Sequence, residues 1–230
     1  MSMFGRLQKT FVAGFFRKLF RVRIINPENE PLDLDKNIKS YIACMNHSSN
    51  WDPILIGACM HRPLRYMAKA ELFKIPVLKS IVKLFGAYPV NRKTANVSSI
   101  KNTINILENG EVVGMFPQGH RVKRIHPENV APKSTFAMAA FKAKTGILPV
   151  TIISKGHKVK AFHKTIVVFG EYIPYEELEK MAETKENGEN IKNIKSMELY
   201  KKITDRVYGD ILDNYRKYDD LNKIKIKPEN

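Results

Sequence analysis

Cysteine is almost missing from this chain. Cys44 and Cys59 are the only two in 230 residues, both lie inside apolar segments, and neither belongs to a Cys-x-x-Cys or cysteine–histidine spacing. That excludes a disulfide scaffold and a zinc module, and it marks the pair as buried thiols of a reducing compartment. His61, His126, His157 and His163 have no ligand spacing either, so neither a metal nor another bound cofactor is expected. Long hydrophobic runs are lacking as well, and no apolar segment approaches the roughly 20 residues that a membrane-crossing helix needs. Arg17-Lys18 interrupts the N-terminal apolar region and no small-residue cleavage site follows, which argues against a secretory signal peptide. The last deficit is acidic: 23 Asp and Glu face 39 Lys and Arg, for a formal net charge of +16. Such a surface seeks polyanions, whether nucleic acid, anionic lipid headgroups or an acidic carrier protein, although a solvated lysine-rich surface accounts for part of the excess. Nucleic acid is the partner supported least, because no zinc-finger spacing, ribonucleoprotein aromatic motif or Walker loop accompanies the charge.

What the chain does have is a globular composition, 43% hydrophobic and 10% aromatic, with length enough for one substantial core. Within residues 1–23, Phe4, Leu7, Phe11, Val12, Phe15, Phe16 and Leu19 recur at spacings of three and four, while Arg6, Thr10, Arg17 and Arg21 gather on the other side. This is the pattern of a basic amphipathic helix lying in a membrane interface, and the same face could instead pack on the protein's own core. The flanking charges are basic, which favours the membrane and predicts peripheral or monotopic attachment on the cytoplasmic leaflet.

Residues 24–230 read as a single α/β domain, with a charged helical segment from about 175. Strands are predicted over 41–45, 64–67, 87–91, 111–116, 147–153 and 165–169. Helices are predicted over 51–60, 71–85, 96–108 and 135–144, then 175–183, a polar linker around 185–190, and 196–218. Alternation at these lengths predicts a mixed, largely parallel sheet flanked by helices.

The stretch Asn46-His47-Ser48-Ser49-Asn50-Trp51-Asp52-Pro53 carries the chemistry. Its histidine leaves a strand, and Asp52-Pro53 is a helix-start signature with an N-cap acceptor and proline at the first helical position. An imidazole with a carboxylate on its other nitrogen is a general base with its orienter. A plain N-cap aspartate and a loop histidine are the alternative. Three more loops follow strands, and ligands in such sheets gather at the strands' carboxyl ends. Phe85 to Arg92 delivers a guanidinium that could hold a phosphate in bidentate fashion, or a surface arginine. Phe116-Pro117-Gln118-Gly119-His120-Arg121 offers close backbone approach at its glycine, or an ordinary turn. Ile147-Leu148-Pro149-Val150 places a proline in an apolar strand, which marks an edge or a bulge rather than a central rung.

The order and content of these four blocks resemble the glycerolipid acyltransferase family, the group that includes 1-acylglycerol-3-phosphate (lysophosphatidic acid) acyltransferases. His47 through Asp52 is similar to the family's histidine, four residues, aspartate motif, and Arg92 falls on its phosphate-binding arginine. Phe116 to Arg121 is similar to its Phe-Pro-Glu-Gly-Thr-Arg block, and Ile147 to Val150 to the proline-centred fourth, so that the resemblance covers about residues 40–153. The resemblance implies acyl transfer from a thioester, acyl-CoA or acyl-acyl-carrier-protein, to a lysolipid hydroxyl, most readily that of 1-acylglycerol-3-phosphate. His47 would be the base and Asp52 its orienter, with no acyl-enzyme. Arg92 and Arg121 would clamp the acceptor phosphate, and Gln118, Gly119 and His120 would border it. Gln118 replaces the family's usual glutamate and His120 its threonine, which leaves other lysolipids, or a lipid alcohol or amine, open as acceptors. A lipid hydrolase would need Ser48 or Ser49 as nucleophile without a Gly-x-Ser-x-Gly elbow. A non-catalytic membrane adaptor would keep the helix and discard the chemistry.

Overall fold

The computed structural model describes residues 3–32, 38–84, 86–90, 95–186, 189–191 and 196–222. Seven strands form its main sheet: β1 Val22–Ile25, β2 Tyr41–Met45, β3 Leu64–Lys69, β4 Ala87–Val90, β5 Val112–Met115, β6 Gly146–Ser154 and β7 Thr165–Phe169. Their order is β1-β7-β6-β2-β5-β3-β4, and every neighbouring pair is parallel except β6 and β7. Strands β2, β5, β6 and β7 are buried at every residue, because helices cover both faces of the sheet and no polar alternation is required.

The helices are α1 Met3–Leu19, α2 Asp52–Cys59, α3 Pro76–Leu84, α4 Ala95–Glu108, α5 Thr135–Lys142, α6 Tyr175–Lys180 and α7 Ser196–Tyr218. One sheet face packs Tyr41, Met45, Leu148 and Val150 against Phe16 and Phe20 of the α1 segment and Leu55 of α2. The other packs Ile42, Val113 and Ile147 against Leu107, Phe136, Ile203 and Val207. The stripe of Ile203, Val207, Ile211 and Tyr215 on α7 is buried along its length, as its spacing of four predicts. Among the described residues no helix is long and apolar enough to cross a membrane.

Four local expectations are corrected. The first helix stops at Leu19, and Val22–Ile25, across the expected boundary at residue 23, pairs with β7 as an edge strand. Arg21 makes that turn at φ 44 without a glycine to announce it. The helix expected over 71–85 is broken at Ile75, giving a 3₁₀ turn Ala70–Lys74 and then α3, which opens on Pro76. The expected linker contains a small antiparallel pair, β8 Thr184–Glu186 and β9 Glu189–Ile191. Finally, of the edge or bulge expected at Pro149 the edge is corrected, since its strand is paired on both sides. A bulge is present: between Val150 facing Phe169 and Ile147 facing Ile173, two residues oppose three. The Pro149 carbonyl accepts the Gly170 N–H where β7 ends, and β6 pairing with β7 runs only from Val150 onward, so no ladder bond is asked of its missing N–H on that side.

At the N-terminal ends of β2 and β3, buried Glu30 accepts the backbone N–H groups of His61 and Arg62 and the Nδ1 of His61. Arg62 in turn donates to the carbonyls of Ile38, Lys39 and Gly110. Substituting Glu30→Ala strands those donors, and a loss of about 3 kcal/mol in urea denaturation is expected.

Candidate active site

The carboxyl end of β2 is prolonged by a side chain. Strand β6 runs four residues past its last pairing with β2, and the Asn46 amide fills the place of a strand backbone there. Its Nδ2 donates to the Ile152 carbonyl at 2.9 Å and its Oδ1 accepts the Ile152 N–H at 2.7 Å. With Asn46 so fixed, the next residue, His47, leaves the sheet in one direction.

The His47 Nδ1 lies 2.9 Å from Asp52 Oδ2. The same oxygen accepts the backbone N–H groups of Ser48 at 2.6 Å and Ser49 at 2.7 Å, and the Asp52 side chain has no exposed surface. Helix α2 is therefore not capped by this carboxylate as the sequence predicts. Trp51 occupies the N-cap, Asp52 is the first helical residue, and its carboxylate turns back onto the loop that precedes it. A carboxylate oxygen only accepts, so in the neutral ring this contact assigns the proton to Nδ1 and leaves the lone pair on Nε2.

The loop after β5 grips His47 from the other side. Its ring stacks on Phe116, with centroids 4.0 Å apart and planes at 23°. Its backbone N–H donates to Gln118 Oε1 at 2.6 Å, and its carbonyl accepts the Val122 N–H at 2.8 Å. Gln118 is only 2% exposed. Its Nε2 faces the Tyr208 hydroxyl of α7 at 3.4 Å, and that hydroxyl donates to the Pro127 carbonyl at 2.7 Å. Burial pushes the Tyr208 phenol up to about 12, which keeps it a neutral donor. The polar chain thus runs in one sense, from Gln118 through Tyr208 to Pro127.

His47 itself lines a small pocket with Gln118, Val122 and Tyr215. Ser49, whose N–H meets Asp52, borders a separate cleft of about 300 Å³ together with Asn50, Trp51, Arg121, Lys123, Lys158 and Lys160. A base with its orienter, next to a cationic cleft, can deprotonate a hydroxyl on an anionic molecule.

Residues 21–153, more than half of the chain, match the family model described as Acyltransferase. The chain belongs to the acyltransferase family. The acyltransferase is 32% identical over 153 residues to the 1-acyl-sn-glycerol-3-phosphate acyltransferase of Bacillus subtilis, a match spanning 65% of this chain and 72% of that protein. It is 34% identical over 115 residues to the enzyme of the same name from Streptococcus pneumoniae, spanning 49% of this chain and 41% of that one. Its fold is similar to that of the 1-acyl-sn-glycerophosphate acyltransferase of Thermotoga maritima, with a TM-score of 0.67 at 21% identity over 93% of this chain and 80% of that one.

Of the residues singled out in the acyltransferase sequence, His47 and Asp52 are in contact. Gly119 turns at φ +72 and lies beside the Lys133 side chain, and His120 and Arg121 are exposed on the same loop. Gln118, expected to border the acceptor, is instead buried behind His47 and holds its backbone. Arg92 lies outside the described residues. Sequence reasoning gave no role to Asn46, Phe116 or Tyr208. Asn46 and Phe116 open two of the motif blocks, but no spacing links Tyr208 to a glutamine 90 positions earlier.

The loop serines Ser48 and Ser49 and both cysteines are buried. The Ser49 hydroxyl donates to the Val159 carbonyl at 3.1 Å. Burial raises the Cys44 thiol well above its ordinary value and pushes Cys59 up to about 12, so neither is a ready nucleophile.

Proposed function

We propose that this acyltransferase moves a fatty acyl group from a thioester to the free hydroxyl of 1-acylglycerol-3-phosphate, giving phosphatidic acid. The observation that carries the reading is the 2.9 Å contact between His47 Nδ1 and Asp52, which leaves Nε2 free to take a proton. The acceptor hydroxyl gives its proton to Nε2 as its oxygen attacks the thioester carbonyl. The tetrahedral oxyanion then collapses, the C–S bond breaks, and the departing thiolate takes the proton back from the imidazolium. Asp52 stabilises that imidazolium and fixes its orientation. The acyl group passes directly between substrates, so neither an acyl-enzyme nor a bound cofactor is involved. Acyl-CoA or acyl-acyl-carrier-protein serves as co-substrate.

Arg92 and Arg121 hold the acceptor phosphate, Gly119 brings loop backbone near it, and His120 borders it. Gln118 acts on the acceptor through His47, whose backbone it holds. The names of the similar enzymes from B. subtilis and S. pneumoniae support this acceptor. The exposed His120, where the family's third block carries threonine, supports a second reading in which the acceptor is another lysolipid, or a lipid alcohol or amine.

The enzyme works at the cytoplasmic face of an anionic membrane, as a peripheral or monotopic protein. Helix α1 divides its aromatic residues between two surroundings: Phe16 packs into the core, whereas Phe11 is 83% and Phe15 59% exposed. Arg17 donates to the Ala58 carbonyl at 2.6 Å and so pins α1 to the end of α2. The side chains of Phe4, Arg6, Leu7 and Thr10 lie outside the described residues.

The test is a donor-by-acceptor assay, with both thioesters against a panel of lysolipids. Phosphatidic acid should form fastest from 1-acylglycerol-3-phosphate. Preference for a lysolipid without a terminal phosphate would move the assignment to the second reading.

A further inference from the structure

The hairpin joining β6 to β7 lends Lys158 and Lys160 to the cationic cleft, but the acyl-transfer reaction has no use for its exposed aromatic ring. Lys155–Lys164 carries Lys155, Lys158, Lys160 and Lys164 with no acidic residue, and near its tip stands Phe162, which is 75% exposed. Phe162 also sits at φ 65, a conformation that bulky residues rarely adopt. Its backbone is well anchored there, since the N–H donates to the Leu19 carbonyl at 2.7 Å and satisfies one of the open carbonyls at the end of α1. A strained backbone fixed to hold a large apolar ring in water points to something the ring meets.

The neighbourhood indicates what that is. The Leu19 carbonyl ends the helix whose outer face presents Phe11 and Phe15, so two apolar outcrops are tied together by one hydrogen bond. Between Phe162 and the catalytic loop, Lys158 and Lys160 border the cleft with Arg121 and Lys123. Lys164 is partly engaged by Asp220 at 3.4 Å, whereas Lys155 and Lys160 are exposed. Apolar rings among cations are the composition of a surface that sinks its rings below lipid headgroups and sets its charges against their phosphates. An acidic protein would meet the lysines but give no reason for three projecting phenylalanines.

We propose that the Lys155–Lys164 hairpin is a second membrane-docking element, in which Phe162 enters the interface of an anionic bilayer and Lys158 and Lys160 meet its headgroups, turning the cleft they share with Ser49 and Arg121 toward the lipid. This rests on the membrane reading of α1, and it adds an anchor about 140 residues away along the chain. Two anchors fix the orientation of the cleft, where α1 alone would leave rotation about the helix axis.

The test uses the full chain with vesicles of phosphatidylcholine, with and without phosphatidylglycerol, in a sedimentation assay. Phe162→Asn removes the ring while keeping a residue that tolerates the left-handed turn. It should lower partition onto the anionic vesicles by about tenfold. Turnover of bilayer-borne acceptor should fall with it, while turnover of detergent-dispersed acceptor stays at the wild-type rate. The double variant Phe11→Ser, Phe15→Ser is run alongside. Wild-type vesicle binding by Phe162→Asn, with binding lost in the helix variant, overturns the hairpin's role and leaves α1 as the anchor. Wild-type binding by both would defeat the membrane reading itself. If Phe162→Asn keeps its vesicle binding but raises the KM for an acyl-carrier-protein thioester, the hairpin serves a protein carrier and the proposal is wrong.

Discussion

Replacing His47 with alanine should lower kcat by about 10²- to 10⁴-fold, the range that a positioned general base contributes. The fold should survive the change, because little depends on the ring itself. The loop is held by the backbone of His47, whose N–H meets Gln118 and whose carbonyl meets Val122, and these bonds do not involve the side chain. Asp52 would still accept the N–H groups of Ser48 and Ser49. The KM for the acceptor should change little, since the cationic cleft is built from other residues. Steady-state kinetics with a melting curve on the same preparation separates the two effects: a large fall in kcat at a near-native melting temperature is expected.

Asp52→Asn should be nearly as damaging for a different reason. An asparagine can place its oxygen where Oδ2 now accepts three N–H groups, which preserves the tautomer and the loop. Its amide nitrogen then falls where Oδ1 is buried without a hydrogen-bond partner. Stability should drop by about 1–3 kcal/mol for that stranded donor. Chemistry suffers more, because the imidazolium formed during proton transfer loses its counter-charge, and kcat should fall on the order of 10²-fold or more. The reverse orientation would set an amide against three donors and collapse the loop, so denaturation profiles distinguish the two placements. A wild-type kcat in Asp52→Asn would reduce the aspartate to a loop-shaping residue.

The sequence displays the layers of this fold because its central strands are continuous apolar runs and its helices keep a spacing of three and four. It conceals β1, since Arg21 turns out of α1 in a left-handed conformation without glycine, and the pattern reads on as helix. Pro149 is legible by half: proline argues for an edge or a bulge, and here the strand is central but its pairing is interrupted by a bulge opposite the proline. At the site, the histidine and aspartate were legible because five residues between a strand and a helix start leave a loop in which both can meet. The N-cap reading of Asp52 failed because the helix takes in Asp52 as its first residue, and the carboxylate turns back to the N–H groups of Ser48 and Ser49 instead of forward onto the first turn.

Gln118 shows most clearly what one-dimensional reasoning lacks. In a Pro-Gln-Gly turn it reads as an exposed polar group bound for a ligand, and only the packing of α7 over the loop makes it a buried bracket between His47 and Tyr208. The exchange of glutamate for glutamine in this block has a local explanation on that geometry. Tyr208 already donates its hydroxyl proton to Pro127, so the residue facing it must bring a proton of its own, which an amide does and a carboxylate does not. Arg92 remains a reading from sequence, as it lies outside the described residues.

The central claim is direct, His47-driven transfer from a thioester to a lysophosphatidate hydroxyl. It is tested most directly by following thiol release and phosphatidic acid formation together, in the wild type and in His47→Ala. The two products should appear one for one in the wild type, require the acceptor, and both fall by at least about 10²-fold in the variant. Thiol release without acceptor, or undiminished phosphatidic acid formation by His47→Ala, would contradict it.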